Sequence, residues 1–296
     1  MSQQLAPSAG APPAAVVKTM APRGPLQQYR VATATPFTCA RCGAGKKSKL
    51  LTTVSADWDS LLCNGCYGNV VRFWEIKAGD LPDEERFAAL LEALGKALPP
   101  HAVESTRQEL RGASPLFGAL SLDAQRMLAT AHAVTTALRA ATDLDWSAAV
   151  IGLCKAVEVE VVRLLMEPLR RETQAHDLEP DLADKELQRI ARFCAGRAPA
   201  PELGSITHFL RTAANSKRRA ARSPVLGAMT AVLARCPGAG HLTDAEFLNN
   251  LGRLTKEFRN PAAHDRLLTE DDFSRCVELV EGESGLLASL LSSTVV

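Results

Sequence analysis

Cys39-x-x-Cys42 is followed, after twenty residues, by Cys63-x-x-Cys66. No other feature constrains what this chain can fold into so tightly. Each CxxC knuckle turns sharply enough to aim two thiolates at one point, and four thiolates complete a closed tetrahedral site. Gly43, directly after the first knuckle, supplies the permissive backbone that such a turn favours. The expected ligand set is therefore Cys39, Cys42, Cys63 and Cys66 around a structural Zn2+, with no open position for water. The other four cysteines, Cys154, Cys194, Cys236 and Cys276, are isolated and read as reduced, buried thiols. A disulfide framework does not suit a chain whose N-terminus lacks the basic-then-apolar order of an export signal, so a cytoplasmic setting is expected.

The second knuckle, Leu62-Cys63-Asn64-Gly65-Cys66, runs into helix-compatible sequence. Over about thirty residues this segment resembles a treble-clef finger of the GATA-like kind. The departures are informative. The spacer is longer, Arg72 is the only early cation on the following helix, and no basic tail follows Trp74. Sequence-specific DNA reading is thereby disfavoured. Lys46, Lys47 and Lys49 offer non-specific contact to a phosphate backbone, or form a solvated loop on a folding staple.

Around this module the chain divides into four parts. Residues 1–35 are rich in alanine, proline, glycine and glutamine, and are expected to form a disordered tail. Residues 36–79 form the finger, 80–142 a helical connector, and 143–296 a helical domain. Apolar periodicity predicts helices over Trp146–Met166, Leu182–Cys194, Glu202–Thr212, Val225–Arg235, Thr243–Phe258 and Asp271–Val280. Asp145 is a plausible cap for the first, and Thr243 with Glu246 makes a capping box for the fifth. No alternating strand pattern competes, so the expected fold is mainly α.

Trp146–Met166 is the most apolar run, but Lys155, Glu158, Glu160 and Arg163 interrupt it, which excludes a membrane span. It reads as a helix buried nearly all round, at a core or a dimer seam. Glu158 pairs with Lys155 three residues earlier, or reaches the motif described next. A formal net charge of +1 gives no global attraction to nucleic acid, so any such contact must be local. The densest basic run holds Lys217, Arg218, Arg219 and Arg222, which could guide RNA or simply face solvent.

Arg259-Asn260-Pro261-Ala262-Ala263-His264 lies between two amphipathic runs. Histidine titrates near neutrality and can take or give a proton, while arginine offers a planar, permanent charge to a phosphate. Pro261 has no N–H for the Glu257 carbonyl and should kink or restart the helix. On an ideal helix, residues five apart sit about 140° from one another. One chain therefore need not bring Arg259 and His264 together.

Arg-Asn-x-x-x-His after a helix resembles the signature of the HEPN superfamily. The segment DLDWSAAVIGLCKAVEVEVVRLLMEPL, about ninety residues upstream, resembles the long helix preceding that motif. The resemblance covers roughly Asp143 to the C-terminus. It implies an endoribonuclease that needs no catalytic metal, with His264 as general base or acid, Arg259 stabilising phosphate and Asn260 orienting one of them. It also implies a homodimer with two motifs lining one cleft, and a toxin or antiphage-defence setting, where a regulatory protein partner is conceivable. The alternative is a catalytically silent HEPN-like dimerisation unit whose finger recruits nucleic acid or protein.

Overall fold

The computed structural model of the chain describes residues 12–292, apart from 25, 55, 83, 84, 87, 91, 94–97, 99, 139–144, 216, 236–238 and 265. Cys236 and many residues of the expected helical connector between 83 and 99 lie outside the described residues. The protein is mainly helical, with one four-stranded sheet.

That sheet corrects two expectations. Strands β1 (Val16–Thr19), β2 (Leu26–Thr38), β3 (Gly45–Val54) and β4 (Asp57–Leu62) pair antiparallel in the order β1-β2-β3-β4. The fold is mainly α as expected, but it includes a sheet where no strand was expected. The stretch up to residue 35 is also not a tail in its described part, because β1 and most of β2 lie there. Both faces of the sheet bury apolar side chains. Leu26, Val54 and Leu62 enter the main core, while Val31, Leu51 and Leu61 form a second cluster beneath Phe37 and Trp58. The turn before β2 is docked as well. Gly24, at φ +56°, lies so close to the Trp74 ring that a Cβ there would sit 2.5 Å from it.

Helix α1 (Asn64–Ala78) follows β4 directly and carries the sheet onto the helical domain. The main core runs without a break from Leu26 and Leu62 through Val71 into the bundle. In the bundle, α2 (Pro100–Ala113) and α3 (Leu122–Leu138) precede the central α4 (Ser147–Val161). Gly152 permits the α3–α4 crossing: a Cβ there would lie 2.9 Å from Ala131 Cβ. Ala149, Val150, Ile151, Leu153, Cys154, Ala156 and Val157 of α4 are all buried within the single chain. Of the two expected settings, a core or a dimer seam, the single chain itself supplies a core that covers this helix. Lys155 and Glu158 pair with each other. Among the described residues no helix is long and apolar enough to cross a membrane.

Helices α5 (Leu203–Asn215), α6 (Pro224–Arg235), α7 (Ala245–Arg253) and α8 (Glu270–Glu281) follow the predicted periodicity. A last helix, α9 (Leu286–Ser292), was not expected. The capping box is displaced from its expected place: Thr243 donates to the Gly240 carbonyl, and the reciprocal pair is instead Thr269 with Asp272, heading α8.

Two π-helical turns, Val162–Met166 and Leu254–Arg259, continue α4 and α7. Each ends two residues before a proline, Pro168 and Pro261 respectively. A proline inside a helix cannot donate to the carbonyl four residues back and its ring collides with it. Widening the preceding turn removes that collision, so the helix continues through the proline instead of stopping.

One buried polar hub ties α1 to the bundle. Lys77, 5% exposed, donates to Asp145 Oδ2 at 2.7 Å, Ser147 Oγ at 3.0 Å and the Arg266 carbonyl at 2.9 Å. Asp145 Oδ1 accepts in turn from the backbone N–H groups of Ser147 and Leu268, both at 3.0 Å. All three ammonium protons are used. Lys77→Met should strand the Asp145 charge and cost ~3 kcal/mol. At 2–4 °C per kcal/mol this lowers the thermal midpoint by roughly 6 °C or more. A variant that melts with wild type would show that the hub contributes nothing.

Candidate functional site

The four expected ligand cysteines come together. Cys39 closes β2, Cys42 lies in the β2–β3 turn, Cys63 precedes α1 and Cys66 occupies its first turn. Their sulfur atoms all lie within 4.8 Å of one another, with Cys42 and Cys63 at 3.9 Å. A tetrahedron with metal–sulfur bonds of ~2.3 Å has edges of about 3.8 Å, so a small contraction closes the set on one ion. Local backbone builds the knuckle. Gly43, at φ +66°, lets its N–H reach the Cys39 carbonyl at 2.9 Å.

The Cys63 backbone N–H points at Cys39 Sγ at 3.3 Å. Burial raises the Cys39 thiol, but the N–H groups of Cys63, Cys42 and Arg41 outweigh it and bring the pKa down to about 7. Burial pushes Cys66 the other way, well above an ordinary thiol. Donors aimed at sulfur, four free thiols and their spacing all suit a thiophilic cation. Elsewhere burial holds the Cys194 thiol up at about 11 and Cys276 well above its usual value, as befits inert core thiols.

The Arg259–His264 segment packs on α4 through Phe258, Ala262 and Ala263, all fully buried. Arg259 ends the π turn, only 5% exposed, and its Nη1 donates to Asn260 Oδ1 at 3.4 Å. His264 ends the short helix Asn260–Ala263 and is half-buried. Its Nδ1 meets Arg86 Nη1 at 3.0 Å, and Arg86 Nη2 donates to the Gly79 carbonyl at 3.0 Å. A guanidinium has only donors, so His264 Nδ1 must be the acceptor and the ring proton sits on Nε2. The structure thus joins Arg259 to Asn260, and His264 to Arg86. Nothing in the sequence singled out Arg86. It lies in the acidic stretch Pro82–Arg86, and its role depends on where α1 delivers it.

The two expected basic patches fare differently. Lys46, Lys47 and Lys49 lie on strand β3, not in a loop, and are exposed. In the second run, Arg219 is bound to Asp184 at 2.6 Å and to Glu186, so its charge is already neutralised. Arg218 and Arg222 are exposed, and the Lys217 side chain lies outside the described residues. Comparison with protein-family models, with curated proteins and with solved structures returned no match for this chain.

Proposed function

We propose that the chain is a HEPN-like endoribonuclease with a structural zinc site and a catalytic motif held in a restrained arrangement. The observation that carries this reading is that one short segment, Arg259–His264, holds both an Arg259–Asn260 pair and the Arg86–His264 contact, and so supplies two guanidiniums, an amide and an imidazole. These groups suit phosphodiester cleavage by the 2′-hydroxyl. The imidazole moves a proton while a guanidinium offsets charge growing on phosphate. The 2′-oxygen bonds to phosphorus, the 5′-oxygen leaves with a proton, and a cyclic phosphate remains.

Restraint follows from the tautomer. With Nδ1 accepting from Arg86, His264 presents Nε2–H, which is a donor and not a base. Base chemistry requires Arg86 to withdraw. A hydrogen bond from a charged group is worth ~1.5–3 kcal/mol, so Arg86→Ala should raise RNA cleavage about tenfold or more. A lower rate in this variant would contradict the restraint. Such control suits a toxin or antiphage-defence role, with a regulatory partner displacing Arg86. Zinc is the ion assigned to Cys39, Cys42, Cys63 and Cys66, because four thiolates in a closed tetrahedron suit it best.

The burial of Arg259 favours a second reading, in which the bundle is catalytically silent and the metal module recruits RNA or protein. A folded protein that binds RNA without cleaving it would support that reading over the first.

A further inference from the structure

Residues 1–56 contain seven lysines and arginines and no acid, although the whole chain carries only +1. The rest of the molecule is therefore net acidic. Folding concentrates this segregated charge on β1–β3 and their connecting turns. Lys18, Arg30, Lys46, Lys47 and Lys49 are all exposed, and none lies in an ion pair with a described residue. Several cations elsewhere are neutralised: Arg107 pairs with Glu104, Arg163 with Glu160 and Arg235 with Glu172. Lys47 and Lys49 lie on one face of these strands and Lys18, Arg30 and Lys46 on the other, so unneutralised charge surrounds a sheet suited to a polyanion.

Aromatic side chains narrow the choice of polyanion. Tyr29 pairs with Leu51 across the β2–β3 ladder, so Tyr29, Leu51, Lys49 and Lys47 share one face. On that face Trp58 lies against Tyr29, with ring centroids 4.4 Å apart, and both rings are half-buried. Lysines for phosphates beside aromatic faces for unpaired bases match single strands better than duplexes, whose bases are already stacked.

We propose that the β1–β3 face is a docking surface for single-stranded RNA. It extends the ribonuclease reading by naming where substrate is held, but does not depend on cleavage. The test is fluorescence anisotropy with a labelled 20-nucleotide single-stranded RNA and the full-length His264→Ala protein, so that cleavage cannot interfere. The double variant Lys47→Glu/Lys49→Glu, made in the same background, is expected to bind at least about tenfold more weakly. Both positions are exposed strand residues, and circular dichroism should confirm an unchanged fold. A duplex of the same length should bind more weakly than the single strand. Equal binding by the double variant, or a duplex bound as tightly as the single strand, overturns the proposal. If binding is lost in the double variant but neither wild type nor Arg86→Ala cleaves RNA, the surface stands and the ribonuclease reading falls.

Discussion

Cys66→Ser is expected to unfold the sheet module while the bundle from α2 onward stays helical. Structural zinc contributes ~10–16 kcal/mol in small finger domains, more than a whole domain is usually stable by. The sheet has little to replace it. Its second cluster holds just three buried side chains, Val31, Leu51 and Leu61. Cys66 also lies in the first turn of the helix whose last turn holds Lys77. Loss of the ion should therefore reach the Lys77–Asp145 hub and loosen Arg266 to Leu268, just beyond His264. Hydrogen exchange should rise sharply over 26–78 and measurably over 266–268. Metal analysis of wild type should return about one zinc per chain. Metal-free protein with a fully protected module would contradict the assignment.

The second large effect concerns His264. Removing a proton-transfer group typically costs ~10²–10⁴-fold in rate, so His264→Ala should abolish detectable RNA cleavage. The fold should survive, because His264 is half-buried at a helix end and lies outside the core. Arg259→Ala confounds two effects, since Arg259 is buried and its loss threatens the packing against α4. Arg259→Lys separates them better. Lysine keeps the charge and the aliphatic stem but loses the planar fork, so activity should fall while the melting temperature changes little. A Lys variant as active as wild type would make Arg259 a packing residue only.

These effects involve residues that were unequally legible in the sequence. The four-cysteine cluster was readable because two CxxC knuckles encode local geometry that does not depend on the remaining fold. Helices α4 to α8 were readable from their apolar period. The sheet was not. Its β2 sequence, Leu26–Thr38, mixes polar and apolar residues without clean alternation and includes Pro36, because both faces bury side chains at one end and face solvent at the other. Pro261 signalled a break, and the outcome was a π turn, since packing on α4 favours continuing the helix. Arg86 and Lys77 could not be found from local pattern at all. Their partners lie 178 and up to 189 residues away in the chain. Arg219 was misjudged for the same reason, its neutralising acids being 33 and 35 residues upstream.

The most direct measurement of the central claim is end-group analysis of a single-stranded RNA incubated with purified wild type, without added divalent cation. A matched DNA strand and the His264→Ala protein run in parallel. The account predicts RNA fragments ending in cyclic or 3′ phosphates, intact DNA for want of a 2′-hydroxyl, and intact RNA with His264→Ala. Equal cleavage by wild type and His264→Ala, or no cleavage by wild type and Arg86→Ala alike, would contradict it.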